Sequence, residues 1–256
     1  MSAIKPKIAF FDFSSCEGCQ LTVVDSLQTH PELLDVVEIV QFREAMSERG
    51  EDYQIAFIEG SCTRLEDEAR LKSIRKQASL VVALGACAHL GGVNSLRNWQ
   101  SHPDVHRYVY GEMGKQESDY AARPIAAVIP IDGAIPGCPI DREEFIRIVK
   151  VLLQGRQPRL PDYPICVECR LRENVCVFLK GVPCMGSVTM AGCNAICPAY
   201  GMGCEGCRGA ISNPNFDGLK LALSEHGMDE SLFDEKMRLF QSYQLMESEA
   251  VNHGSH

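Results

Sequence analysis

A cysteine-rich segment from Cys166 to Cys207 constrains this chain more than any other part of the sequence. It reads CVECRLRENVCVFLKGVPCMGSVTMAGCNAICPAYGMGCEGC and holds eight of the chain's 13 cysteines. It opens with C-x2-C and closes with C-x2-C. Thiols at this density are bonded to one another or to metal. The alternatives are therefore disulfides, structural zinc and iron–sulfur clusters.

The compartment in which the chain works bears on this choice. The N-terminus, MSAIKPKIAFFDF, lacks the basic, apolar and small-residue pattern of a secretory signal. No stretch has the ~20 consecutive apolar residues that a membrane span needs. We therefore expect a cytoplasmic protein without a membrane span. Reduced cytosolic cysteines are more often metal ligands than disulfides, and an odd number of them leaves one unpaired.

Zinc and iron–sulfur clusters cannot be separated by the two C-x2-C pairs, because both kinds of site use them. The element Cys193-x3-Cys197-Pro198 favours iron, since C-x3-C-P also ends the cysteine run of bacterial ferredoxins. A zinc-stabilised interaction module stays open as an alternative. A nucleic-acid partner is not expected, because the net charge is -9 and phosphate binding needs a basic face.

The first 155 residues alternate apolar, strand-like runs with amphipathic segments, which is typical of an α/β fold with a parallel sheet and helices on both faces. Helices are predicted in residues 21–30, Arg64–Gln77 and Asp141–Leu153. Strands are predicted at Lys7–Phe13, Asp35–Phe42, Gln54–Gly60, Leu80–Ala88 and Ala126–Ile131. Three domains are expected: an α/β domain at 1–155, a cysteine-rich domain at 156–212, and C-terminal helices with a tail at 213–256.

Four further cysteines follow predicted strands. Cys16 and Cys19 come after the first strand, Cys87 ends the fourth, and Cys138 follows the fifth. Ligands of parallel sheets bind at the carboxyl ends of the strands, so these loops can bring four thiolates together. The rival interpretation is a redox dithiol at Cys16 and Cys19, because C-x-x-C near a βαβ unit is also typical of thioredoxin-like proteins.

Three nearby residues have less certain roles. Cys62 is expected to be a small buried apolar residue. His89 is expected to be structural, although it lies close to Cys87 in the sequence. Glu17 lies between two candidate ligands, where a proton-carrying role and a merely solvated side chain are equally compatible with the sequence. The loop SSCEGC offers no phosphate-binding pattern, so no flavin or nucleotide site is predicted.

The motifs CEGCQL, IEGS, GACAHLGG and PGCP, together with the cysteine-rich segment, resemble the small subunits of cytosolic [NiFe] hydrogenases. The likeness is to the delta subunits of sulfhydrogenases and to the small subunits of methanogen hydrogenases that do not reduce deazaflavin. It extends from Lys7 to about Gln244. The N-terminal motifs also resemble a cluster-bearing subunit of respiratory complex I, so an iron–sulfur relay of a complex I-like enzyme is a second alternative.

The resemblance implies a flavodoxin-like domain and three [4Fe-4S] clusters. The proximal cluster would be held by Cys16, Cys19, Cys87 and Cys138. The distal cluster would be held by Cys166, Cys169, Cys176 and Cys184. The medial cluster would be held by Cys193, Cys197, Cys204 and Cys207. Membrane-bound relatives carry a histidine among the distal ligands and a proline in place of the fourth medial one; here Cys166 and Cys197 match those positions.

The resemblance also implies a function. The chain would relay electrons between a nickel–iron site on a large subunit and an iron–sulfur or flavin subunit that reduces the acceptor. No catalytic residue is assigned to this chain itself. The sequence leaves the final acceptor open among NAD(P), ferredoxin and a disulfide reductase.

Overall fold

The structure is a computed structural model in which residues 5–111, 119–229 and 231–253 are described. The chain divides into two compact units, Met1–Pro158 and Arg159–His256. In the parts of the chain that the structure describes, no helix is both long enough and apolar enough to cross a bilayer.

The first unit contains seven strands and six α-helices among its described residues. In chain order they are β1 (Lys7–Asp12), α1 (Gly18–Thr29), α2 (Leu33–Val36), β2 (Glu38–Phe42), β3 (Ile55–Glu59), β4 (Cys62–Arg64), α3 (Leu65–Gln77), β5 (Leu80–Leu84), α4 (Gly85–Leu90), α5 (His102–Tyr110), β6 (Asp119–Arg123), β7 (Gly133–Ile135) and α6 (Arg142–Leu153).

Five of these strands form a parallel sheet in the order β2-β1-β3-β5-β7. Counted along the chain, this is the 2-1-3-4-5 order of flavodoxin-like folds. The two remaining strands, β4 and β6, pair antiparallel in a small separate sheet. The predicted α/β class with a parallel sheet is confirmed.

Both faces of the parallel sheet are covered by helices, because its strands alternate large apolar side chains between them. On one face Phe10 stacks on Phe57, with ring centroids 5.1 Å apart, and both approach Phe145 of α6. On the other face Phe11 and Ile58 belong to a buried cluster that includes the α3 residues Leu71 and Ile74. This two-sided burial fixes the sheet, and with it the edge at which its strands end.

The predicted strand at Ala126–Ile131 is wrong. Residues Ile125–Ala127 form a short 3-10 helix, and the fifth parallel strand is β7, a few residues later. Ile125 and Ile129 are both buried at a helical spacing of four residues, which is why the apolar run resembled a strand. The predicted strand at Leu80–Ala88 is also too long, since it ends at Leu84 and Cys87 lies on α4.

The second unit is built around the cysteine-rich segment. Its α-helices are α7 (Ile165–Leu171), α8 (Ile196–Ala199), α9 (Phe216–Glu225) and α10 (Ser231–His253). Met185, Val188, Leu223 and Met237 are among the residues of its core, so the last two helices pack against the cysteine-bearing loops. Helix α10 continues to His253, into the predicted tail, and residues 254–256 lie outside the described ones.

Candidate metal centres

The first candidate centre lies at the carboxyl edge of the parallel sheet. Cys16 follows β1, Cys19 is on the first turn of α1, Cys87 is on α4 directly after β5, and Cys138 follows β7. The backbone N–H of Ala86 donates to the carbonyl of Gly137 at 2.7 Å, which joins the Cys87 turn to the Cys138 loop. The three connections therefore meet at one edge, as the strand-end argument predicts.

Gly85 shows how closely these segments approach one another. It has a φ of 83°, which favours glycine, and a Cβ at this position would overlap the Cys19 sulfur. Cys19 is buried and Cys87 is half-buried, whereas Cys16 and Cys138 are exposed. The centre therefore has an enclosed side against the sheet and an open side toward solvent.

The four thiols interact electrostatically. Burial raises the pKa of Cys19, and the charges of Glu59, Cys138 and Cys87 raise it further. Burial raises the pKa of Cys87 to about 12, with added contributions from Cys138 and Cys16. Four deprotonated thiols are unfavourable together unless a positive charge lies among them. The arrangement is one that a bound metal centre would stabilise.

Glu59 is a buried residue of this centre that the sequence did not single out beyond its place in IEGS. It is 2% exposed at the end of β3, and its carboxylate accepts hydrogen bonds from the N–H of Cys19 at 3.1 Å and of Gln20 at 2.9 Å. Burial raises its pKa, and these two hydrogen bonds act in the opposite direction. The signal that marked it is an acidic residue ending an otherwise apolar strand, IAFIE.

The three residues of uncertain role lie as follows. Glu17 has a φ of 62° at the start of α1, and its pKa is raised by desolvation and by neighbouring Glu44. Cys62 is 0% exposed on β4, within the apolar cluster that includes Leu71. His89 is half-buried on α4, two residues after Cys87.

A second centre lies in the second unit and contains Cys166 and Cys169 on α7, Cys176 just before a short 3-10 helix, and Cys184. A Cβ built on Gly186 would lie 3.3 Å from the Cys184 sulfur and 3.7 Å from the Cys166 sulfur, so both sulfurs border one small space. Burial raises the pKa of Cys166 to about 11, and the charges of Cys184, Cys169 and Cys176 add to the effect. The structure thus brings these four thiols together.

Two of these sulfurs also accept hydrogen bonds. The backbone N–H of Cys204 donates to Cys184 Sγ at 3.2 Å, and Asn174 Nδ2 donates to Cys169 Sγ at 3.6 Å. Such bonds stabilise a thiolate and tune the potential of a metal centre bound to it.

The third group is Cys193, Cys197, Cys204 and Cys207. Burial raises the pKa of Cys204, and Cys207 contributes to the shift. The pKa values of Cys193 and Cys197 are raised mainly by burial, but each also responds to a charge adjoining the other two cysteines. Cys193 is influenced by Arg208, and Cys197 by Glu205. All four therefore belong to one neighbourhood, next to the second centre.

None of the centres is shaped around a single ion. In residues 5–111, 119–229 and 231–253, no three His, Cys, Asp or Glu side chains converge as one metal ion requires. Zinc holds its sulfurs at about 2.3 Å, which demands tight convergence. The thiols described above are grouped but more widely spread, as the corners of a larger inorganic core would be.

Comparisons with known proteins bear on both units. The family described as "NADH ubiquinone oxidoreductase, 20 Kd subunit" matches residues 16–152. Sulfhydrogenase 2 subunit delta of Pyrococcus furiosus is 36% identical over 236 residues, which are 91% of this chain and 98% of that protein. A vhu subunit of the F420-non-reducing hydrogenase of Methanococcus voltae is 31% identical over 280 residues, which are 95% of this chain and 96% of that protein.

A solved structure is also similar. A chain of an NAD+-reducing [NiFe]-hydrogenase in the H2-reduced state superposes with a TM-score of 0.55 at 25% identity. The alignment covers 62% of this chain and 96% of that one.

Proposed function

Because the chain belongs to the small subunits of [NiFe] hydrogenases, we propose that it relays electrons between the nickel–iron site and a separate acceptor-reducing subunit through three [4Fe-4S] clusters. Hydrogenases are oxidoreductases, and their catalytic site lies on the large subunit. The contribution of this chain is to bind, space and tune the carriers between that site and the acceptor.

The grouping of twelve cysteines into three sets of four is the observation that supports this proposal most. When bound, a [4Fe-4S] cluster supplies a one-electron carrier held by four thiolates. Its proposed ligands are Cys16, Cys19, Cys87 and Cys138 at the proximal site, Cys166, Cys169, Cys176 and Cys184 at the distal site, and Cys193, Cys197, Cys204 and Cys207 at the medial site. Cys62, buried in the apolar core, is the residue left over.

The residues present fit such clusters. The donors are all thiols, which iron–sulfur clusters use, and burial raises the pKa of most of them, so that deprotonation requires positive charge at the site. Donated N–H bonds at Cys184 and Cys169 are of the kind that adjusts a cluster's potential. The wide spread of the thiols favours a polynuclear core over zinc.

The exposure of the proximal thiols suggests how the subunits meet. Cys16 and Cys138 are exposed at the open side of the first centre, while Cys19 is buried behind them. We place the large subunit against this open side, where it would close the site to water. The distal cysteines Cys166 and Cys176 are exposed in the same way, which makes their surface the exit toward an iron–sulfur or flavin subunit. The proposed compartment is the cytoplasm.

The complex I-like alternative is weakened by the second unit. The match to the 20 Kd subunit family ends at residue 152, before the segment that carries eight cysteines. The hydrogenase relatives instead extend over more than nine-tenths of the chain. The extra cysteines support the longer relay proposed here.

Metal analysis of the anaerobically purified complex tests the proposal. We expect about 12 irons per copy of this chain, matching acid-labile sulfide, iron–sulfur absorption, and nickel on a copurifying partner. A colourless chain whose cysteines hold zinc would contradict the relay. An iron content of about a third of that value would limit the clusters to one.

A further inference from the structure

Arg208, directly after the proposed medial ligand Cys207, is the largest fully buried side chain of the described residues, at 0% exposure. Its Nε donates hydrogen bonds to the carbonyls of Met190 at 3.1 Å and Ala191 at 2.8 Å. A buried guanidinium carries a large desolvation cost, so it persists where its charge or its hydrogen bonds are needed. Here it binds the chain just before Cys193.

Glu168 holds the same turn from the other side. It lies on α7 between the proposed distal ligands Cys166 and Cys169. One carboxylate oxygen accepts from the N–H of Gly192 at 2.8 Å, and the other from the N–H of Ala195 at 3.2 Å. Within this turn Ala195 has a positive φ of 48°, which a non-glycine residue adopts at an energetic cost. The carboxylate stabilises that conformation.

Cys193 is therefore held between two opposite charges. Arg208 binds the carbonyls that precede it, and Glu168 binds N–H groups on both sides of it. The electrostatics agree with this geometry: burial raises the pKa of Cys193, Arg208 works against the rise and Glu168 adds to it.

We propose that Arg208 and Glu168 set the reduction potential of the cluster bound through Cys193, in opposite directions, while they position its turn. The inference rests on the proposed function. Reduction adds one negative charge to a cluster, so a fixed positive charge beside it stabilises the reduced form and raises the potential, whereas a negative charge lowers it. Both are positioning residues, and Glu168 also ties the distal ligand helix to the medial turn.

Redox titration of the intact anaerobic complex, followed by electron paramagnetic resonance, tests this inference. Arg208→Met should lower one cluster potential by at least a tenfold change in the one-electron equilibrium constant, about 59 mV. Glu168→Gln should raise the potential of the same cluster, because the amide oxygen still accepts a hydrogen bond without the charge. Arg208→Lys should stay close to the wild type.

Arg172 provides the matched control. It is exposed, and its Nη1 donates at 2.8 Å to the carbonyl of Asn194 in the same turn. Arg172→Met removes a hydrogen bond from that turn but only a solvent-screened charge. We expect its cluster potentials to match those of the wild type.

The possible outcomes separate the two proposals. Wild-type protein without iron–sulfur signals would overturn the proposed function and this inference with it. Normal clusters with unchanged potentials in Arg208→Met and Glu168→Gln, or shifts of the same sign in both, would overturn only the inference. If Arg208→Met loses iron, Glu168→Gln decides: a raised potential supports the inference, and an unchanged or lowered one contradicts it.

Discussion

Replacement of Glu59 by alanine tests how the fold holds the first turn of α1. The first N–H groups of a helix have no partner within the helix, and here the buried Glu59 carboxylate satisfies those of Cys19 and Gln20. Glu59→Ala leaves both donors without their acceptor, in a region from which water is largely excluded. The turn that presents a proposed proximal ligand should then open more often.

The magnitude follows from the two lost bonds. An unsatisfied buried donor costs about 1–3 kcal/mol, so the pair should lower the free energy of local opening by roughly 2–6 kcal/mol. At about 1.4 kcal/mol for each factor of ten, these amides should exchange at least roughly 30-fold faster. Glu59→Gln keeps one carbonyl oxygen and should give a smaller acceleration, of about fivefold or more.

Hydrogen–deuterium exchange of the intact complex, read by mass spectrometry at the peptide covering α1, measures this effect. Glu51→Ala is the control, because Glu51 is exposed shortly before β3. Unchanged exchange in Glu59→Ala would refute the reasoning. So would equal acceleration by the Glu51 variant.

Three further substitutions have sharp expectations. Cys62→Ser should leave the iron content unchanged, because Cys62 lies in the apolar core, while the buried hydroxyl should lower the free energy of unfolding by about 1–3 kcal/mol; metal analysis and denaturant unfolding measure the two effects. Gly85→Ala should reduce iron loading, because its Cβ would overlap the Cys19 sulfur; full loading would contradict that packing. Cys197→Pro should remove one iron and give a three-iron signal on oxidation, and an unchanged spectrum would show that Cys197 is not a ligand.

The predictable part of the fold follows from local patterns. Four of the five parallel strands could be found because each is a short apolar run buried on both faces. The fifth could not, since its three residues are too few to show a period and the apolar residues before it are a helical turn around Ile125. The antiparallel pair β4 and β6 was also missed, because short strands of this kind carry little sequence signal.

The cysteine groups were accessible from sequence for a different reason. Parallel strands end at one edge, so cysteines after separate strands are brought together by the topology itself. The supporting charges were not accessible. Glu59, Glu168 and Arg208 look like ordinary surface residues in the sequence, and only the folded chain shows their carboxylates and guanidinium buried against distant backbone groups.

Reduction of the clusters by hydrogen tests the relay most directly. The complex, purified anaerobically with its nickel-containing partner and oxidised, would be exposed to H2 while the iron–sulfur signals of this chain are followed. The account predicts that H2 reduces these clusters, and that Cys19→Ser, which alters the proximal site, slows the appearance of reduced medial and distal signals. If a complex that contains nickel and activates H2 leaves every cluster of this chain oxidised, the chain is not the electron path.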